Sequence, residues 1–256
     1  MKVNSYKLIS LPISTISKAS LMDMVSAHIH EEGKSAMRIL ACNVHMLMEA
    51  FDDDTVRRKL ETSEIIVPDG APVAWVLRSI GIRVARIRGP ELMVDLLKRG
   101  ATSGWKFGLL GGSSKTLDKL VEVLRERYPF ILIEFAESPP FRPLSGSEDA
   151  EICDRIIQSK VDVLFVGLGC PKQELWMARN SSHLSCVLVG TGAAFDFIAG
   201  EKAESPVSFQ VLGLEWLFRL ICEPRRLLMR YVKHNPRFIV LAAIKILRER
   251  SRKIFT

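Results

Sequence analysis

Residues 161–174, VDVLFVGLGCPKQE, limit the fold more than any other stretch of the chain. Val161, Val163, Leu164, Phe165 and Val166 form an apolar run broken only by Asp162. A short Val-rich run bounded by glycine reads as a strand buried on both faces. The chain then turns through Gly167-Leu168-Gly169 and enters Pro171-Lys172-Gln173-Glu174. Proline suits a first helical turn, where its missing N–H would be unpaired anyway. The order is therefore strand, glycine turn, helix. The free N–H groups of such a helix start favour an anion in the turn.

The same layout recurs along the chain. Buried strands are expected at 37–43 and 64–67 and further strands at 105–110, 130–135 and 185–189, with a weaker edge strand or hairpin at 6–16. Helices are expected at 18–32 (ended by Gly33), 44–50, 55–61, 71–80, 89–98, 115–128 and 148–159, with another running through Arg179. Alternation of this kind predicts an α/β, Rossmann-like fold, a mainly parallel sheet with helices on both faces. Ligands on such sheets bind at the carboxyl ends of the strands. Polar or glycine-rich tips fall there at Asn43, Asp69, Gly111-Gly112, 167–173 and 190–192. The three-proline segment 138–146 reads as a loop of the kind that carries function. Beyond Gly200 the pattern is helical and basic, giving a catalytic body of 1–200 and an appendage of 201–256.

Charge distinguishes the two parts. Residues 219–256 hold eleven Lys or Arg against Glu223 and Glu249, a local balance of +9. The rest of the chain is then at −2, given a total of +7. A basic tail on a near-neutral body points to an anionic surface. Its apolar run at 238–247 is too short to span a bilayer but suits an interfacial helix, which favours membrane over nucleic acid. Residues 1–10 lack the apolar core of a signal peptide. Five scattered cysteines without a C-x-x-C pair argue for a reduced compartment and against a zinc site. The five histidines do not cluster in sequence, and no metal site is expected.

Several tips have two readings. Gly111-Gly112-Ser113-Ser114 and the 167–173 turn could cradle a diphosphate or simply make tight turns. Neither matches a P-loop, and the dinucleotide fingerprint is broken where Lys172 replaces its third glycine. That leaves an NAD-dependent sugar oxidoreductase as a weak third reading. Asp69 could be a general base or the N-cap of the helix at Ala71. Asn43 could bond a ligand or cap its own helix. Asp52-x-Asp54 is better placed to cap a helix than to hold a metal, and Cys42 and Cys170 read as small lining residues. Arg219, Arg225, Arg226 and Arg230 could clamp phosphates or form a solvated basic face.

Taken together, certain blocks resemble the WecG/TagA/CpsF glycosyltransferases. These are VGLGCPKQE at 166–174, GTGAAFDFIAG at 190–200, GLEWLFRL at 213–220 and Glu223-Pro224-Arg225, with Asp69-Gly70 and LLGG at 109–112. The resemblance spans about 39–231. It implies an inverting transfer from a UDP-sugar to a polyprenyl-diphosphate-linked sugar in bacterial surface-polysaccharide synthesis. It implies that Asp69 is the catalytic base and that Asn43 and Gln173 lie in the same pocket. Arg219, Arg225 or Arg230 would meet the leaving diphosphate, and no cofactor or bound metal would be needed. Gly111, Gly112, Gly169, Lys172, Gly192 and Arg86 complete the expected substrate site. The expected place is the inner face of the plasma membrane, bound peripherally, with a homo-oligomer left open.

The chain departs from the family pattern at four places. Ala41 stands where the family has Thr, Cys170 where Ser is common, Glu204-Ser205-Pro206 for Arg-Ala-Pro, and Glu91 for Asp. These bear on the donor sugar more than on the reaction. The alternative they leave is a catalytically inactive nucleotide-sugar-binding module that recruits an assembly complex to membrane.

Overall fold

A computed structural model describes residues 3–254. Residues 1, 2, 255 and 256, the outer ends of the two expected segments, lie outside the described residues. The chain opens with an antiparallel hairpin, β1 (Ser5–Leu8) and β2 (Leu11–Ser14), which forms a small sheet of its own. Helix α1 (Lys18–Ile29) follows, capped at its start by the Ser17 hydroxyl. It stops short of Gly33, because the backbone N–H of His30 already closes the last turn onto Ala27 and His28.

Next come β3 (Met37–Cys42), α2 (Val44–Asp52), α3 (Asp54–Glu61) and β4 (Ile65–Pro68). Asp53, the middle residue of the acidic triplet, caps α3 by accepting from the N–H groups of Thr55 and Val56. Helices α4 (Ala71–Ser79) and α5 (Gly89–Ser103) lead into β5 (Lys106–Gly111). Then follow α6 (Ser114–Arg127), β6 (Leu132–Glu137), α7 (Gly146–Gln158), β7 (Val163–Gly167), α8 (Lys172–Asn180) and β8 (Val187–Gly190). Strand β6 starts two residues later than the sequence pattern implies; Phe130 is exposed, and this edge strand is only partly buried.

Strands β3 to β8 form one sheet in the order β4-β3-β8-β7-β5-β6, and every neighbouring pair is parallel. Side chains alternate between its faces, as strand geometry requires. Leu40, Ile66, Leu110, Leu164 and Leu188 join one core, packed by α2, α4, α7 and α8. Ile39, Ile65, Leu109, Phe165 and Val189 join the other, packed by α1, α5 and α6. Phe107 and Phe165 stack in this second core with centroids 5.8 Å apart. Two cores on one sheet explain why the strands read as continuous apolar runs.

Short helices α9 (Ala194–Ile198), α10 (Val207–Val211) and α11 (Glu215–Cys222) then lead to the long α12 (Pro224–Ile254). Leu227, His234, Phe238 and Ala242 of α12 are buried. Phe238 and Ala242 belong to the first core. The run 238–247 is therefore divided: one side anchors α12 on the body, while Ile239, Val240 and Leu247 stay exposed. Ion pairs from Arg237 and Lys233 to Asp52 reinforce the seat.

Candidate active site

A fully parallel sheet places all its strand ends on one edge, and here they surround a single cavity of about 760 Å³. Asn43 comes from the end of β3, Asp69 from β4, Gly112 from β5, Gly169 and Gln173 from beyond β7, and Gly192 from beyond β8. Lys172, Arg219 and Arg230 also line it, as does the 139–144 part of the proline-rich loop. That loop is tied to the site by the Ser138 hydroxyl, which donates to the Gly112 carbonyl at 2.7 Å.

Asp69 does not cap its own helix. The N-cap of α4 is Gly70, and no side chain bonds there. The Asp69 carboxylate instead reaches across to the start of α5, where its Oδ1 accepts from the Gly89 N–H at 3.1 Å. That bond holds the carboxylate in place. Among the described residues Gly89 is its one side-chain hydrogen-bond partner, so the second oxygen is available within the cavity. Asn43 caps α2, its Oδ1 accepting from the Met46 N–H at 3.2 Å, and the residue also lines the cavity.

Gln173 organises the opposite wall. Its Oε1 accepts from the N–H groups of Gly169 and Gly192, each at 3.2 Å. One side-chain oxygen thus ties the β7 turn to the β8 turn. Both glycines have positive φ, 80° and 58°, a conformation that disfavours other residues. Gly111 serves another purpose: a Cβ there would meet the Gly167 carbonyl at 2.6 Å, so its absence lets β5 and β7 close together beneath the site. Gly111 is accordingly not among the residues lining the cavity.

Glu174 was not singled out from the sequence, yet it fixes this wall. It is 1% exposed and accepts from Gln173 Nε2 at 2.6 Å, which settles which way the amide points. Burial raises its pKa to about 7, with the Gln173 bond opposing the shift. The signal that was available is its spacing, three residues before Met177 and so on the same side of the helix.

The expected arginines divide. Arg219 lines the cavity with its guanidinium 4.9 Å from the centre of the Phe197 ring. Arg230 lines it too; burial lowers its pKa, and its Nε has no hydrogen-bond partner among the described residues. Arg225 is exposed and outside the lining, and Arg226, one residue on, takes its place. Arg86 is also outside the lining. Its Nε donates to the Asp69 carbonyl at 2.9 Å and its Nη1 to the Gln210 carbonyl at 2.9 Å, and it pairs with Glu215. Arg86 therefore supports the Asp69 backbone and fastens the C-terminal helices.

Arg88 extends that fastening with bonds to Glu91, Gln210 and Glu204 and an ion pair to Glu215 at 2.8 Å. The anion at Glu204 thus has a cation waiting for it. More than a hundred residues separate Arg88 from Gln210 and Glu204, so no local pattern could have announced those bonds.

The chain matches the family model described as "Glycosyl transferase WecG/TagA/CpsF family" over residues 6–252. It is also similar to "N-acetylglucosaminyldiphosphoundecaprenol N-acetyl-beta-D-mannosaminyltransferase" of Staphylococcus aureus strains NCTC 8325 / PS 47 and COL. Each is 28% identical over 209 residues, which cover 81% of this chain and 80% of the relative.

Proposed function

Because the chain belongs to the WecG/TagA/CpsF glycosyltransferase family, we propose that it carries a sugar from a UDP-sugar to a sugar already linked to a polyprenyl diphosphate. The reaction inverts the anomeric centre, and the product serves bacterial surface-polysaccharide synthesis. The acceptor class follows from the name of the staphylococcal relatives. One observation carries the reading: a carboxylate oxygen of Asp69 without a hydrogen-bond partner among the described residues shares a cavity with the amide turns that Gln173 holds together.

The steps follow from that placement. Asp69 takes the proton from an acceptor hydroxyl, whose oxygen attacks C1 of the donor sugar from the opposite side to the diphosphate. The bond from C1 to the diphosphate oxygen breaks, and its electron pair leaves with UDP. A positioned base contributes about 10²–10⁴-fold, equivalent to about 3–5 kcal/mol. The departing charge is met by the N-terminus of α8 and by Arg219 and Arg230. The buried Nε of half-buried Arg230, unpartnered among the described residues, supports this role, since such a donor is costly unless a ligand satisfies it.

The body of 1–200 holds the base and the turns, and the appendage of 201–256 supplies the arginines. The same appendage docks on the membrane where the lipid acceptor resides. No described helix is long and apolar enough to cross a membrane. An exposed apolar stripe with basic neighbours supports surface docking instead.

Transfer from radiolabelled UDP-sugars to N-acetylglucosaminyl-diphosphoundecaprenol is the direct test. A panel of UDP-N-acetylmannosamine, UDP-N-acetylglucosamine, UDP-glucose and UDP-N-acetylmannosaminuronic acid identifies the donor. Turnover with one of them is expected. Saturable UDP-sugar binding without turnover on any lipid-linked acceptor would support the inactive recruiting module instead.

A further inference from the structure

The junction of α2 and α12 holds a side-chain set that the cavity does not use. His45 and Glu49 stand one turn apart on α2, and His234 arrives from α12. His234 Nε2 lies 3.1 Å, and His45 Nδ1 3.7 Å, from the same Glu49 oxygen. One ligand atom from each residue falls within 4.8 Å of the other two. The two rings meet edge to face at 5.1 Å. None of the three residues lines the cavity.

Hydrogen bonding leaves this set unsatisfied. His234 is 2% exposed, and His45 Nδ1 is buried without a hydrogen-bond partner among the described residues. A buried ring nitrogen of His45 without a hydrogen bond thus faces a carboxylate oxygen 3.7 Å away, and His234 Nε2 faces the same oxygen at 3.1 Å. A cation held among the three would give both imidazoles and the carboxylate a common partner.

We propose that His45, Glu49 and His234 form a Zn²⁺ site that clamps α12 onto α2. Two imidazoles and a carboxylate are a nitrogen and oxygen set that zinc accepts, with water in the fourth position. Tetrahedral bonds of about 2.05 Å place ligand atoms about 3.4 Å apart, and the observed 3.1 and 3.7 Å bracket that value. Lys233 also approaches Glu49, at 3.9 Å, but it lies nearer Asp52, at 3.5 Å, and keeps that partner when Glu49 turns to the ion. Arg237 neutralises the rest of Asp52. The clamp would join two rims of the cavity, since α2 starts at Asn43 and α12 carries Arg230.

The test uses the full chain, stripped with chelator and titrated with ZnCl₂ or MgCl₂. Equilibrium dialysis with metal analysis should give one Zn²⁺ per chain, with a rise in melting temperature that Mg²⁺ does not reproduce. His234→Gln and Glu49→Gln, checked for folding by circular dichroism, should each weaken zinc binding by about 100-fold or more and abolish the thermal shift. Co²⁺ added to the unmodified chain should give the visible bands of a four-coordinate ion without thiolate charge transfer, a readout that stands even if the variants fail to fold. No zinc uptake, equal uptake by both variants, or a thiolate band would overturn the site.

Discussion

At the residue scale the site depends on Glu174 and Gln173 as much as on Asp69. The Glu174 pKa is raised from 4.5 to about 7, so between those values the folded chain binds this proton more tightly than the unfolded chain. Its contribution to stability is full below about pH 4.5 and is lost as pH rises through 7, a change of about 3 kcal/mol. Glu174→Gln keeps an oxygen for Gln173 and removes the titration. Denaturant melts across pH 5–8 should therefore show a smaller decline in the variant than in the wild type. Gln173→Ala leaves two turn N–H groups and Glu174 without their partner and should cost about 2 kcal/mol, with weakened UDP-sugar binding measured by calorimetry. The Pro-Lys-Gln-Glu block was legible as the start of a helix at a ligand-binding turn. That the Gln173 side chain bonds both turns was not, because Gly192 lies nineteen residues away. Asp69 was legible as a polar strand tip, but its partner Gly89 is twenty residues on, so that its side chain does not cap α4 could be read only from the fold.

At the element scale the strands and their order of appearance were readable from apolar runs and glycine turns, since a doubly covered sheet leaves few polar interruptions. Boundaries moved where a backbone bond closed a helix early, as at His30, or where an edge strand was only partly buried, as at Leu132. Helix α9 was missed because Ala194–Ile198 is too short to show a period. Helix α12 was read as basic and amphipathic, but composition could not say which apolar residues face the body. That division makes a prediction. Phe238→Ala empties a core position and should cost about 3 kcal/mol, visible as a lowered melting temperature. Replacing exposed Ile239 and Val240 with Ser should leave the melt within about 0.5 kcal/mol of wild type while releasing the protein from anionic liposomes. Unchanged sedimentation with those liposomes would remove the docking role from this stripe.

At the scale of the whole molecule the sheet carries Asp69 and the amide turns, and the C-terminal helices line the cavity with Arg219, Arg226 and Arg230. Arg86 joins these parts, holding the Asp69 carbonyl with one nitrogen and the start of α11 at Glu215 with another. Arg86→Ala should therefore lower turnover about tenfold or more through misplacement of Asp69, while the Asp69 carboxylate itself remains. The central claim is that this carboxylate removes the acceptor proton. The most direct measurement is the turnover of Asp69→Asn with the best UDP-sugar and a defined lipid-diphosphate acceptor, alongside calorimetric binding of the same nucleotide sugar. A fall in kcat of about 10²–10⁴-fold with binding retained is the predicted result, and wild-type turnover in the variant would contradict it.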